Sequence, residues 1–256
     1  MILVIDIGNT NITLGIYNND SLLETFRLAS DKDLSLGEYE VLLKTLCKDY
    51  EINDCVIGSV VEELSPILKK ASDNVFNIDS FLINADVDFG LKIGLKNPKE
   101  IGADRIANAY GAKNKYPLPL IVVDIGTATT FDIVSKDGVF LGGVIMPGLN
   151  LQFKSLSSNT SKLPRINAGI SEKAIGDSTE NALLSGIMRG SACAIEGLIH
   201  QCELELGEKA TIIATGGQSR LISEYMIRSF DYIDPSLTLE GLKLLYELNR
   251  ITVKQY

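Results

Sequence analysis

Two apolar stretches of this chain end in the same three residues. Ile2-Leu3-Val4-Ile5-Asp6 runs into Ile7-Gly8, Leu120-Ile121-Val122-Val123-Asp124 runs into Ile125-Gly126, and the two aspartates stand 118 residues apart in a chain of 256. An unbroken run of Val, Ile and Leu reads as a strand buried on both faces, which belongs in the middle of an α/β sheet. Each Asp-Ile-Gly is followed by short hydroxyl and amide side chains, Asn9-Thr10-Asn11 in one copy and Thr127-Ala128-Thr129-Thr130 in the other. A chain that repeats a buried strand and its turn at close to half its length is constrained towards a duplicated α/β structure. Just ahead of the second copy, Lys115-Tyr116-Pro117-Leu118-Pro119 carries prolines that neither a helix interior nor a central strand tolerates. The repeat and the prolines together predict two similar halves, 1–116 and 117–256.

The remaining pattern supports this. In the first half, strands are predicted at 11–17 and 22–29, a helix over 36–50, a buried strand at 55–61, a helical run over 65–72, and a helix starting near Asp104. In the second half, strands are predicted at 120–124, 129–134 and 139–146, helical segments around 176–206, a strand at 210–215 and a helix after Gly217. Meandering strands that give way to alternating strands and helices, twice over, argue for an α/β fold in duplicate.

Composition narrows the chemistry. The formal net charge is −9, and no Lys/Arg cluster interrupts it, which argues against binding nucleic acid by phosphate neutralisation. No basic segment precedes the first apolar run, and no stretch reaches the roughly 18 uninterrupted apolar residues of a membrane span. Cys47, Cys55, Cys193 and Cys202 show no CxxC spacing and read as reduced, packed thiols. The sole histidine, His200, sits in a helix-like run and reads as a packing residue, which leaves no His-dependent triad or multi-His metal site. An acidic chain of this kind must bind anions with local devices: backbone N–H groups, a bound cation or one well-placed arginine.

The two turns have such devices. Each lies at the carboxyl end of a strand, where open α/β sheets place their ligands. Gly8 lets a phosphate approach the backbone, Asn9, Thr10, Asn11 and Thr13 supply short donors, and Asp6 can hold Mg²⁺. A hairpin turn accounts for the first copy alone equally well; the matching of residue types in the second makes phosphate binding the stronger account. A third apolar strand ends in Thr215-Gly216-Gly217, a pair of glycines that admits a flat group such as an adenosine. Asp104, in Gly102-Ala103-Asp104-Arg105, opens a predicted helix. Its ordinary role there is an N-cap; its catalytic one is to orient a hydroxyl and take its proton. Arg105 can pair with a carboxylate or a phosphoryl oxygen, or lie solvated on the helix surface.

These loops resemble those of the actin-like ATPase superfamily, which includes sugar kinases, heat-shock chaperone ATPases and actin. Within it the chain is most similar to type III pantothenate kinases. The similarity lies in DIGNTN from Asp6, Asn97-Pro98 through Glu100 to Gly102-Ala103-Asp104-Arg105, DIGTATT from Asp124, and Gly142-Gly143 with Pro147-Gly148-Leu149. Leu163-Pro164, Ile175-Gly176-Asp177-Ser178-Thr179 and the final Ala214-Thr215-Gly216-Gly217 complete it. The resemblance implies a duplicated ribonuclease-H-like fold, with two similar halves around a nucleotide cleft. It implies ATP-dependent phosphorylation of pantothenate to 4'-phosphopantothenate, the first step of coenzyme A biosynthesis, by a cytoplasmic homodimer with its substrate site at the interface.

Carried over by position, Asp6, Ile7, Gly8, Asn9, Thr10, Asn11, Ile12 and Thr13 match the first ATP-phosphate loop, and Thr127 matches the second. Gly216 and Gly217 match the adenosine loop. Asp124 matches the carboxylate that holds a monovalent cation, K⁺ or NH₄⁺, while Mg²⁺ travels with ATP. Gly102, Ala103, Asp104 and Arg105 match the pantothenate loop, with Asp104 the proton acceptor, and Thr179 matches a substrate-contacting threonine. Leu95 departs from the pattern, since many relatives have Tyr there. Two alternatives use the same fold: a phosphatase with water as acceptor, and a regulatory, non-catalytic member of the kind described as Bvg accessory factors. The Gly102–Arg105 and Ile175–Thr179 segments speak against the first. Aspartates at positions 6, 104 and 124 speak against the second.

Overall fold

The computed structural model describes residues 1–160 and 162–253. The first sheet contains β1 (Ile2–Ile7), β2 (Asn11–Asn18), β3 (Ser21–Ala29), β4 (Asp54–Ser59) and β5 (Phe81–Leu82), in the order β3-β2-β1-β4-β5. The second contains β6 (Lys92–Ile93), β7 (Leu120–Ile125), β8 (Ala128–Val134), β9 (Val139–Pro147), β10 (Thr211–Thr215) and β11 (Tyr232–Ile233), in the order β11-β10-β7-β8-β9-β6. Apart from the edge strand β6, the two orders are identical. In each, a central strand pairs antiparallel with the strand after it and parallel with the fourth.

The duplication holds at the level of register. Asp6 faces Thr13 across the β1–β2 ladder, and Asp124 faces Thr130 across β7–β8. The two turns differ by one residue: Gly8 N–H donates to the Asn11 carbonyl, whereas Gly126 N–H donates to the Ala128 carbonyl, both at 3.0 Å. The sequence offset of 118 therefore aligns the aspartates but not the threonines that face them.

The chain forms two compact units. Unit 1 comprises Met1–Lys92, Lys96–Gly111 and the stretch from Leu237; unit 2 comprises Ile93–Leu95 and Ala112–Ser236. The second return of the chain, at Ser236–Leu237, is one that a single joint near residue 117 does not include. Pro117 and Pro119 do lie between a helix and a strand, after α3 (Ala103–Lys115) and before β7.

In unit 1, α1 (Leu36–Leu46) and α2 (Ser65–Phe76) cover one face of the sheet. Tyr39, Leu43, Leu68 and Ala71 of these helices bury Leu3, Ile5 and Ile7 of β1. Ser35 and Glu38 form a capping box that starts α1. In unit 2, α4 (Leu149–Ser158) and α5 (Thr179–Leu206) do the same for Ile121, Val123 and Ile125. α5 is long and apolar enough to cross a membrane by length and composition alone, but Met188, Ala192, Ile195 and Ile199 bury one of its faces in this core. Its far end is tied to the start of β10 by Glu203, which accepts two bonds from Arg228 (2.8 and 2.9 Å), one from Lys209 (2.7 Å) and one from the Ala210 N–H (3.2 Å). Burial raises the Glu203 pKa, but these bonds outweigh it and hold the carboxyl at about 2. Its stabilisation is thus present above its ordinary 4.5 and is lost as pH falls towards 2.

The pattern reading missed α4 and the C-terminal helix α7 (Leu237–Val253), and α6 after Gly217 is only Ser219–Ser223. Of these, α7 matters most to the site, because it packs on β1 and β4 and fixes α3. Asp104, Ala107, Asn108 and Gly111 recur at the spacing that puts them on one helical face. A methyl on Gly241 of α7 would overlap the Ala107 carbonyl, and one on Gly111 would stand 3.1 Å from the Gly241 Cα. Thr238 Oγ1 donates to the buried Asn108 Oδ1 at 2.7 Å. Gly241→Ala must therefore move backbone, since no flexible side chain can yield. It is expected to destabilise the protein by about 1–3 kcal/mol, read as a lower thermal midpoint. An unchanged midpoint would show that the two helices have room to spare.

Candidate active site

β1 carries Asp6 to the carboxyl edge of the first sheet and hands the chain to the turn Gly8–Asn11. Three of the four carbonyls of this turn are occupied from within the fold. Ser30, directly after β3, donates its hydroxyl to the Gly8 carbonyl and its N–H to the Thr10 carbonyl, and Asn11 takes the Gly8 N–H. Asn9 and Thr10 are exposed at the tip, while Ile7 and Ile12 are buried and pin the two ends.

The Gly102–Arg105 segment reaches the same edge. The Ile7 carbonyl accepts the N–H of Val60, just beyond β4, at 3.0 Å. A Cβ on Gly102 would lie 3.2 Å from Val60 Cγ1, so Val60 bridges the first turn and the start of α3. Asp104 is not the N-cap that its position suggested. Ala103 is already helical, the Gly102 carbonyl accepts the Ile106 N–H at 3.2 Å, and Asp104 is the second helical residue. Its Oδ1 instead accepts the N–H of Arg105 at 2.8 Å, a favourable place for negative charge in the first turn of a helix. Burial pushes the Asp104 pKa up, the Arg105 N–H and guanidinium pull against it, and the net shift is upward. The segment thus offers a carboxylate with more than ordinary affinity for a proton.

In unit 2, Asp124 stands at the same place on β7, flanked by Thr130 on β8 and Thr215 on β10. Thr127 is exposed at the tip, and its carbonyl accepts the Gly148 N–H at 3.1 Å. Gly216 has φ +83°, and a Cβ there would collide with Asp124 Oδ1, so only glycine leaves the carboxylate its space. Gln218 N–H closes the group by donating to the Ile125 carbonyl at 3.1 Å. The fold thus assembles Asp124, Thr127 and Gly216-Gly217 from two separate stretches. One carboxylate flanked in register by two threonines is an all-oxygen donor set of the kind that suits a hard cation. Among the described residues no cluster of three or more His, Cys, Asp or Glu side chains offers a richer set.

Thr179 belongs to another part of unit 2. It is exposed as the first residue of α5, behind Ser178, whose hydroxyl accepts the Asn181 N–H at 3.1 Å. The segment leading to it is held to the fold by Ser185, Arg189 and Tyr225, and lines a cavity of about 310 Å³ with Glu172, Lys173, Gly176 and Asp177. Leu95 packs at 3.0 Å from where a Cβ on Gly142 would be, beside β9.

Pattern reading did not single out Ser30 as a support of the first turn, nor the N–H of Gly148 as a support of the second. A signal was present: these two residues are also 118 apart.

The family model of the type III pantothenate kinases matches residues 2–201. A type III pantothenate kinase from Exiguobacterium sibiricum is 42% identical over 255 residues, covering 98% of this chain and 100% of that one. Among solved structures, a Campylobacter jejuni protein described as a Baf family transcriptional activator matches with a TM-score of 0.63 at 24% identity, over 97% of this chain and 99% of its own. The inorganic polyphosphate/ATP-glucomannokinase of Arthrobacter sp. strain KM matches with a TM-score of 0.53 at 17% identity, over 96% and 98%. At those identities the likeness is one of fold, the duplicated α/β fold of the actin-like ATPases and sugar kinases. The family match goes further, spanning both Asp-Ile-Gly turns, the Asp104 segment and Thr179, and the chain belongs to the type III pantothenate kinase family.

Proposed function

We propose that this protein transfers the γ-phosphoryl group of ATP to the hydroxyl of pantothenate, giving 4'-phosphopantothenate at the entrance to coenzyme A biosynthesis. The observation that carries the reading is the recurrence of one carboxylate–glycine–hydroxyl turn at the same register position of two sheets with the same strand order. Residues Asp6 to Thr13 and Thr127 bind the phosphates through backbone N–H groups and short side chains, and Gly216 and Gly217 admit the adenosine. Gly102, Ala103 and Arg105 hold pantothenate, with Arg105 on its carboxylate.

Asp104 orients the acceptor hydroxyl. As its oxygen bonds to the γ-phosphorus and the bond to the ADP oxygen breaks, the hydroxyl proton passes to Asp104. Phosphoryl transfer through a loose transition state releases that proton late, so a carboxylate of modestly raised basicity is sufficient. Mg²⁺ bound with ATP and a monovalent cation, K⁺ or NH₄⁺, at Asp124 supply positive charge for the phosphates. The protein works as a cytoplasmic homodimer in which Thr179 serves the partner's pocket, a reading supported by the exposed Ile170 and Ile175 on the segment leading to it.

The direct test is phosphorylation of pantothenate by the purified protein with ATP, in potassium and in sodium buffers. Product is expected in both, with higher turnover in potassium; equal rates would remove the cation from Asp124. The mass in solution is expected to be that of a dimer, and a fully active monomer would exclude a shared substrate site.

Asp104→Asn keeps an oxygen for the Arg105 N–H and removes the proton acceptor. Its kcat is expected to fall by roughly 10²–10⁴-fold, with ATP affinity and thermal midpoint little changed. In the wild type, kcat/KM should fall as pH drops through the raised Asp104 pKa, which lies above the ordinary 3.8, and the variant should lack that limb. A folded variant with near-normal turnover would leave Asp104 outside the chemistry.

A further inference from the structure

Ser30 and Gly148 are equivalent residues in the duplicated fold. Each directly follows the third strand of its repeat, β3 ending at Ala29 after β1 and β2, and β9 ending at Pro147 after β7 and β8. Each donates its N–H to the carbonyl at the tip of the adjoining turn, Ser30 to Thr10 at 3.0 Å and Gly148 to Thr127 at 3.1 Å. They differ in what stands over the glycine carbonyl that opens the turn. In unit 1 the Ser30 hydroxyl donates to the Gly8 carbonyl. In unit 2 a Cβ at position 148 would overlap the equivalent Gly126 carbonyl and that of Thr127, so no side chain fits. The extra residue in the first turn accounts for the difference: the longer turn stands off far enough to admit a side chain, and the shorter one closes onto the backbone.

We infer that Ser30 is a positioning residue for ATP, one that fixes the first phosphate turn without touching the reacting atoms. The inference rests on the reading of residues 6 to 13 as the ATP-phosphate turn. A phosphate is attracted by N–H dipoles and repelled by carbonyl dipoles, so a turn of this kind works only while its carbonyls are engaged elsewhere. Ser30 engages two of the four carbonyls of the Gly8–Asn11 turn, those of Gly8 and Thr10. Its N–H bond would survive any substitution except proline, whereas the bond to Gly8 depends on the hydroxyl alone. Losing that bond frees the carbonyl nearest Asp6 and loosens the turn before nucleotide arrives.

The experiment compares Ser30→Ala and Ser30→Thr with the wild type by steady-state kinetics, thermal midpoint and calorimetric titration with a non-hydrolysable ATP analogue and Mg²⁺. Ser30→Ala is expected to raise KM for ATP and the analogue Kd roughly 3–10-fold, the range of one net hydrogen bond, with kcat within about twofold and KM for pantothenate unchanged. Ser30→Thr, which keeps the hydroxyl, should restore wild-type values. Ser30→Ala with wild-type ATP affinity overturns the inference, and so does a defect that Ser30→Thr shares with it, since lost packing rather than a lost donor would then be responsible. If Ser30→Ala does not fold, the near-isosteric Ser30→Cys, a much weaker donor, should show the same rise in KM for ATP, and wild-type KM in that variant overturns the inference. A wild-type protein that neither binds the analogue nor phosphorylates pantothenate overturns the functional reading, and the inference falls with it. A wild type that does both, with Ser30→Ala indistinguishable from it, overturns the inference alone.

Discussion

The contact between α3 and α7 sets the position of Asp104. Gly241 lies so close to the Ala107 carbonyl that backbone meets backbone, and Thr238 bonds the buried Asn108 one residue further on. Two helices in such contact cannot slide or rotate without collision, so the face of α3 that carries Asp104 has one orientation relative to α7. Because α7 also packs on β1 and β4, the carboxylate is referenced to the strand that ends in Asp6. A helix from the far end of the chain thus positions a residue at its middle relative to a turn at its start.

Within each unit the same solution recurs with different tolerances. A buried central strand ends in aspartate, the turn beyond it begins with glycine, and the residue after the third strand holds the tip carbonyl. The second copy is one residue shorter and tighter: Gly148 lets the backbone close on the turn carbonyls, and Gly216 on Asp124. The first is longer and admits a serine side chain. A change of one residue in turn length is enough to give one copy room for a side chain and to close the other onto backbone.

Burial and charge then divide the labour among the carboxylates. Glu203 is as buried as a core residue, yet two cations and a backbone N–H keep it ionised, which suits a structural tie. Asp104 has only backbone N–H groups and the neighbouring Arg105 charge to hold it, and burial prevails, which leaves a carboxyl with a raised pKa. The same residue type, or nearly so, is driven in opposite directions by the number of donors around it.

Much of this was legible in the sequence because it is local. The apolar runs before Asp6 and Asp124 are strands buried on both faces, and alternating or unbroken hydrophobicity reports that directly. The glycine and hydroxyl residues after them mark the turns for the same reason. The sequence could therefore determine that the fold is duplicated and where its two Asp-Ile-Gly turns lie, and the motif order was enough to indicate the family. It could not determine that α7 returns to the first unit, that Asp104 sits one residue inside its helix, or that Ser30 supports the first turn. The first and last depend on contacts between residues 22 to more than 130 positions apart, made by glycines, a serine and a threonine whose types carry no periodic signal. The second is a local shift of the helix start, set by the Gly102 carbonyl accepting the Ile106 N–H. Local pattern fixes which segments become strands and turns. Only packing decides which distant backbone comes close enough to hold them.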